Sequence, residues 1–166
     1  MFVHYKTIVL DFEGSLQTGY REVGYIKMDN FVVTEAKELI PHEKNRKTLL
    51  HSILNERYDF FISHQSNVEK NFIRMELPYS PFGDMGRWGP WLDTKIVYRQ
   101  LYPNLPNYDL KSLIETFIGL DGLTKKAKAY CHEEKLQFHN ALFDAIACME
   151  LVNRLSDKLN LPNFLI

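Results

Sequence analysis

Five side chains in this 166-residue sequence have the types and spacing to do chemistry together. Asp11 and Glu13 close an apolar run, "IVLDFEG"; Glu69 lies in "HQSNVEKNFI"; His139 and Asp144 stand five apart in "HNALFD". In a strand, Asp11 and Glu13 fall on one face, and two like charges that close repel each other and lose hydration when covered. Either that strand frays into solvent, or something positive sits between the carboxylates. Hard oxygen ligands of this kind suit Mg²⁺ or Mn²⁺, which keep waters and take substrate phosphate rather than a full protein cage. Two such ions about 4 Å apart can hold both the attacking and the leaving oxygen of a phosphodiester displacement. An imidazole, whose charge changes near neutral pH, suits the general base beside them.

Each residue also has a plainer explanation. An isolated Asp-x-Glu is most often a pair of solvated strand-end carboxylates. Asp144 in a first helical turn complements the helix dipole, and Glu69 beside Lys70 reads as an exposed helix carboxylate. His64 closes a strand and suits packing or hydrogen bonding. Cys131-His132 has no partner cysteine at zinc spacing. Trp88 and Trp91 cap a core or, less simply, offer a stacking face to an unpaired base. The basic runs "EKNRK" and "LTKKAKAY" are solvated helix faces by default, with a phosphate track as the alternative.

The elements that must position these residues follow from periodicity. A strand is expected over Lys6–Phe12, then a loop with Gly14, Ser15 and Gly19, then a hairpin over Arg21–Ile40 turning at Asp29-Asn30. Leu49, Leu50, Ile53 and Leu54 stripe a helix over residues 43–58. "DFFIS" reads as a buried strand, and 66–77 as a helix with Ser66 at its N-cap. Residues 78–90 are a breaker-rich loop. Helices follow at 94–102 and 108–119, and a long one at 140–160. A strand, an antiparallel hairpin, then alternating helix and strand make an α/β fold with a mixed sheet flanked by helices, the ribonuclease H-like pattern.

Composition bounds the rest. With 45% hydrophobic and 25% charged residues, residues 1–166 are expected to form a single domain with its own core. A net charge of −1 supplies no general basic field, so a nucleic acid would be held by a local patch or by metal ions. Two cysteines make no disulfide framework, and a reducing cytoplasm is the expected location. Neither a signal peptide nor an apolar run long enough to cross a bilayer is seen, so no membrane association is expected.

At the five residues a family resemblance becomes specific. The chain resembles the DEDDh branch of the DnaQ-like 3′–5′ exonucleases, which includes bacterial proofreading subunits, RNase T and oligoribonuclease. "IVLDFEG" matches that family's first motif at Asp11 and Glu13, and "HNALFDA" its third at His139 and Asp144. "REVGYI" matches the glutamate and glycine of the second strand at Glu22 and Gly24, and "LDTKIVYRQLYP…YDLKSLIETF" the Asp-Thr segment and leucine-rich helix. The matches run in order along nearly the whole chain.

The resemblance implies an enzyme that hydrolyses single-stranded DNA or RNA from the 3′ end to nucleoside 5′-monophosphates. It implies two Mg²⁺ or Mn²⁺ ions on Asp11, Glu13 and Asp144 with help from Glu69, and His139 as base. Gly14, Ser15 and Leu16 would seat the terminal nucleotide, and a DNA polymerase or a second copy of the chain are the protein partners to consider. Three departures stand out. "HQSNVE" puts Glu69 where the family has an aspartate, Gly14-Ser15-Leu16 replaces Thr-Thr-Gly, and the connection after Pro41 lacks the usual His-Gly-Ile-Thr. Two other functions compete: a nucleic-acid or polymerase-binding module with little activity, and a ribonuclease H-type endonuclease.

Overall fold

Alternation along the first strand sets the layers of the molecule. In β1 (Lys6–Ser15), Ile8, Leu10 and Phe12 enter one apolar cluster and Val9 enters another. Strand period therefore places Asp11 and Glu13 on the Val9 face. The computed structural model describes residues 4–166, and in it β1 is the middle strand of a five-stranded sheet. The strand order is β3-β2-β1-β4-β5, with β2 (Gly19–Asp29), β3 (Val32–Leu39), β4 (Phe60–Ser63) and β5 (Trp91–Asp93). β1, β2 and β3 are antiparallel neighbours, whereas β4 and β5 run parallel to β1. This is the α/β, ribonuclease H-like arrangement that the sequence leads one to expect.

The Ile8–Leu10–Phe12 face is covered by α1 (Arg46–Ile53) and α2 (Ser66–Glu76), through Leu50, Ile53, Phe72 and Ile73. The opposite face carries α3 (Thr94–Leu101), α4 (Leu110–Phe117), α5 (Leu120–Ala127) and α6 (Ala141–Ser156). α6 is buried on every side from Ala141 to Val152 because it lies between the sheet and the other three helices. Leu142, Ile146, Met149 and Val152, the stripe visible in the sequence, are thus only part of its buried surface.

Several boundaries differ from the sequence reading. β1 continues through Glu13 to Ser15 because Glu13 and Gly14 pair with Glu22 and Tyr20 across a bulge, so the strand does not fray there. The β2–β3 turn falls at Asn30-Phe31, both at positive φ. α1 is only eight residues long, and α6 stops at Ser156. β5 is a three-residue strand behind a proline, too short to show a period. α5 carries Gly122 and two lysines, and only Leu123 and Ala127 reach the core. Trp88 and Trp91 are buried, and their indole N–H groups donate to Leu77 O and Trp88 O at 2.8 Å. They cap a core and offer no stacking face. Among the described residues, no helix is long and apolar enough to cross a membrane.

Candidate active site

Pairing between β1 and β4 runs only from Thr7 to Val9. Asp11 therefore stands just past that ladder, near where β4 gives way to α2. Across the sheet it faces Gly24. A side chain at Gly24 would place its Cβ 2.3 Å from the main chain of Ala141 and Leu142, so only glycine lets the start of α6 rest on the strands. Glu22 then fastens that helix end. Its Oε1 accepts the Ala141 N–H at 2.7 Å, and its Oε2 accepts from Lys135 Nζ, also at 2.7 Å. Lys135 in turn reaches Glu38 at 3.0 Å. Burial alone would raise the Glu22 carboxyl, but the Lys135 ammonium and the Ala141 N–H outweigh it and hold the group below its usual range.

Fixing α6 in this way brings its preceding loop over β1. An oxygen of Glu13, a ring nitrogen of His139 and an oxygen of Asp144 lie within 4.8 Å of one another. His139 is exposed and has φ +68°, a conformation uncommon outside glycine. Its main-chain N–H donates to Asp144 Oδ2 at 3.1 Å, which ties the imidazole-bearing residue to the carboxylate.

Asp11 and Glu69 lie outside that close set and are linked to it electrostatically. Burial, then the charges of Asp144, Glu69 and Glu13, push the Asp11 carboxyl well above its ordinary value. Burial pushes Glu69 up to about 8, with Asp93 and Glu13 adding repulsion. Burial likewise raises Asp144 to about 7, against the opposing His139 N–H. Glu69 is 3% exposed, so it is not a solvated helix carboxylate. Asp11 Oδ2, Glu69 Oε2 and Asp144 Oδ1 are all sealed from solvent with no hydrogen-bond partner. Three buried, unpartnered anionic oxygens are costly unless a cation meets them. Carboxylate oxygens are hard donors, so these residues fit an ion such as Mg²⁺ or Mn²⁺, with the imidazole beside them left for proton chemistry.

Gly14, Ser15 and Leu16 follow at the exposed end of the β1–β2 hairpin. Gly14 has φ +147°, and a Cβ there would lie 2.5 Å from Gly19 O. Ser15 Oγ is 2.7 Å from Thr18 Oγ1, and Leu16 is half exposed. His64 is largely buried, with Nδ1 2.8 Å from Thr94 Oγ1, and burial pushes its pKa down to about 4. That is the hydrogen-bonding role expected of it.

One positioning residue escaped the motif-by-motif reading. Asp93 Oδ1 accepts from Lys95 N at 3.0 Å and Ile96 N at 3.4 Å, capping α3. Its Oδ2 accepts from Ser66 N at 2.8 Å. One carboxylate thus caps two helices, one of which carries Glu69. Ser66 is therefore not the N-cap of α2; Gln65 holds that position in a left-handed conformation, and Asp93 supplies the acceptor. The Asp-Thr preceding a helical stripe was the available signal for half of this role.

No protein-family model and no curated protein matches the chain. Solved structures do match it. Exonuclease X, in complex with 5′ overhanging duplex DNA, aligns over 89% of this chain and 91% of its own, with a TM-score of 0.52 and 17% identity. A moderately thermophilic Exonuclease I from Methylocaldum szegediense aligns at a TM-score of 0.60 and 13% identity over 96% of this chain, which spans 42% of that protein. The Aedes aegypti Nibbler EXO domain aligns at 0.56 and 13% identity, over 95% of this chain and 83% of that one. The chain has the fold of these exonuclease structures.

Proposed function

We propose that the chain is a divalent-metal-dependent 3′–5′ exonuclease acting on single-stranded DNA or RNA and releasing nucleoside 5′-monophosphates. The observation that carries this reading is the set of buried carboxylate oxygens without partners on Asp11, Glu69 and Asp144, the last of these residues beside an exposed histidine. Asp11, Glu13 and Asp144, with Glu69, would hold Mg²⁺ or Mn²⁺. Bound there, the ions would offset the carboxylate repulsion and stabilise charge on the phosphoryl and departing oxygens. His139 is the proton acceptor in this scheme, because its exposed ring nitrogen stands beside Asp144 and Glu13 where a water can reach it. The Asp144–His139 main-chain bond holds the imidazole in place. Gly14, Ser15 and Leu16 seat the terminal nucleotide, partly through main-chain groups.

The test is digestion of 5′-labelled DNA and RNA oligonucleotides with Mn²⁺, alongside Asp11→Asn. Progressive shortening from the 3′ end, lost in the variant, is the expected result. The pair of substrates also reads out whether the 2′-hydroxyl matters. Intact substrate with every divalent ion, or internal cuts in a circular strand, would overturn the assignment. Tight oligonucleotide binding without cleavage would identify a binding module.

A further inference from the structure

Away from the carboxylates, α2 presents a second charged surface of opposite sign. Lys70 and Arg74 are one turn apart on this helix, roughly 6 Å along its axis. With Arg87, Trp88, Pro90 and Trp91 they line a groove of about 400 Å³. Asp84 is the acidic side chain lining it. Among the described residues, Lys70, Arg74 and Arg87 form no ion pair. Lys70 Nζ instead sits 5.7 Å from the Trp91 ring centre, which holds the stem of the side chain against the groove wall. Burial lowers the Lys70 pKa, although Asp93 opposes the shift. Three cations left free on a chain of net charge −1 make a local basic surface, which the overall charge does not supply.

Glu69 of the candidate site and Lys70 of the groove are consecutive residues of α2, so the site and the groove lie on neighbouring sides of one helix. An exposed aromatic ring lies close by: Tyr79 is 79% exposed and packs against Gly86, which lies between the lining residues Asp84 and Arg87 in the sequence. Backbone-neutralising cations beside an exposed aromatic ring are the combination that single-stranded nucleic acid uses, phosphates on the cations and a base on the ring. An acidic peptide would use the cations and leave the ring idle.

We infer that the Lys70–Arg74–Arg87 groove, with Tyr79 at its side, binds the phosphate backbone of a nucleic-acid strand beyond the nucleotides held in the active site. This inference rests on the nuclease reading only for the direction of the strand; the binding itself is separable. The experiment compares wild type with the triple variant K70Q/R74Q/R87Q. Affinity for a fluorescent single-stranded 20-mer is read by anisotropy in Ca²⁺ across a salt series. Turnover of a p-nitrophenyl ester of thymidine 5′-monophosphate, too small to reach the groove, is read with Mn²⁺.

The triple variant should bind the 20-mer at least about tenfold more weakly, with a log–log salt slope shallower by about 2. It should turn over the small ester within twofold of wild type. Each single substitution should carry part of the slope change, which decides the matter should the triple variant fold poorly. Tyr79→Ala should weaken binding with the salt slope unchanged. An unchanged affinity and slope overturns the groove, as does equal competition by a poly-glutamate peptide of the same length. A wild type that cleaves neither substrate, yet binds the 20-mer through these cations, removes the nuclease reading and leaves the groove standing.

Discussion

Two groups of carboxylates lie near the start of α6, and they are balanced differently. Glu22 and Glu38 on β2 and β3 share the ammonium of Lys135, and Glu22 also accepts the first N–H of the helix. Asp11, Glu69 and Asp144 have no lysine or arginine among them, and each keeps a buried oxygen without a partner. Desolvation acts on both groups. In the first, Lys135 and the Ala141 N–H offset it at Glu22, while burial still pushes the neighbouring Glu38 carboxyl up and leaves its Oε1 without a partner; in the second no cation is at hand and all three carboxyls are driven toward protonation. The presence of acidic residues on a strand therefore says little. A buried counter-charge from the fold separates the Glu22 clamp from Asp11, Glu69 and Asp144; Glu13 stands between the two cases, with only the exposed Arg21 guanidinium 3.5 Å away.

The contrast is sharpest in activity. Asp11→Asn and Asp144→Asn should each lower the proposed nuclease turnover by about 10⁴-fold or more while the metal-free melting temperature holds or rises. Turnover near that of wild type in either variant would erase the distinction between the groups. His139→Ala should lower kcat by roughly 10²–10⁴-fold and leave metal affinity nearly intact. A His139→Ala variant as fast as wild type, with chemistry rate-limiting, would exclude the general-base role.

Glu69 tests the edge of the unpartnered group. Its side chain is one methylene longer than aspartate, which suits Mn²⁺ better than the more exacting Mg²⁺. Turnover should be higher with Mn²⁺. Glu69→Gln should lower it about 10- to 100-fold with either ion, whereas Glu69→Asp should keep much of it. A Gln variant as fast as wild type would remove Glu69 from the ligand set.

In the partnered group, Glu22→Gln should act on stability first. Its amide oxygen can still accept the Ala141 N–H, but Lys135 loses a counter-charge. The expected cost is about 1–2 kcal/mol, a fall of roughly 2–8 °C in Tm. Activity should drop less than about tenfold, through kcat, with the metal requirement unchanged. Loss of activity as deep as in Asp11→Asn, at an unchanged Tm, would make Glu22 part of the site.

The smallest effect is on metal-free stability. Glu69 and Asp144 are raised to about 8 and about 7 in the folded chain, against about 4 when unfolded. Between those values the folded state binds more protons. Their contribution is therefore fully present below about pH 4 and is lost as pH rises through 7 and 8. The metal-free Tm should fall by a few degrees between pH 5.5 and 8.5. The fall should be smaller in Glu69→Gln, and saturating Mn²⁺ should reverse it. A Tm independent of pH over that range would mean that the carboxylates are already neutralised.

Local chemistry made much of this legible. An apolar run ending in Asp-x-Glu specified a strand with both carboxylates on one face, because side chains alternate whatever the strand pairs with. His139 and Asp144 marked a helix start, and the order of strand, hairpin and alternating elements specified the sheet. Sequence could not reveal which glutamate has a lysine waiting for it: Lys135 is 113 residues from Glu22, and only the sheet and the α6 approach bring them together. Nor could it show that Asp93 caps two helices, or that Trp88 and Trp91 face inward. Those outcomes depend on contacts between distant segments, where burial and the placement of counter-charges are decided. The residue types and their periods belong to the sequence; which charges go unanswered was left to the tertiary structure.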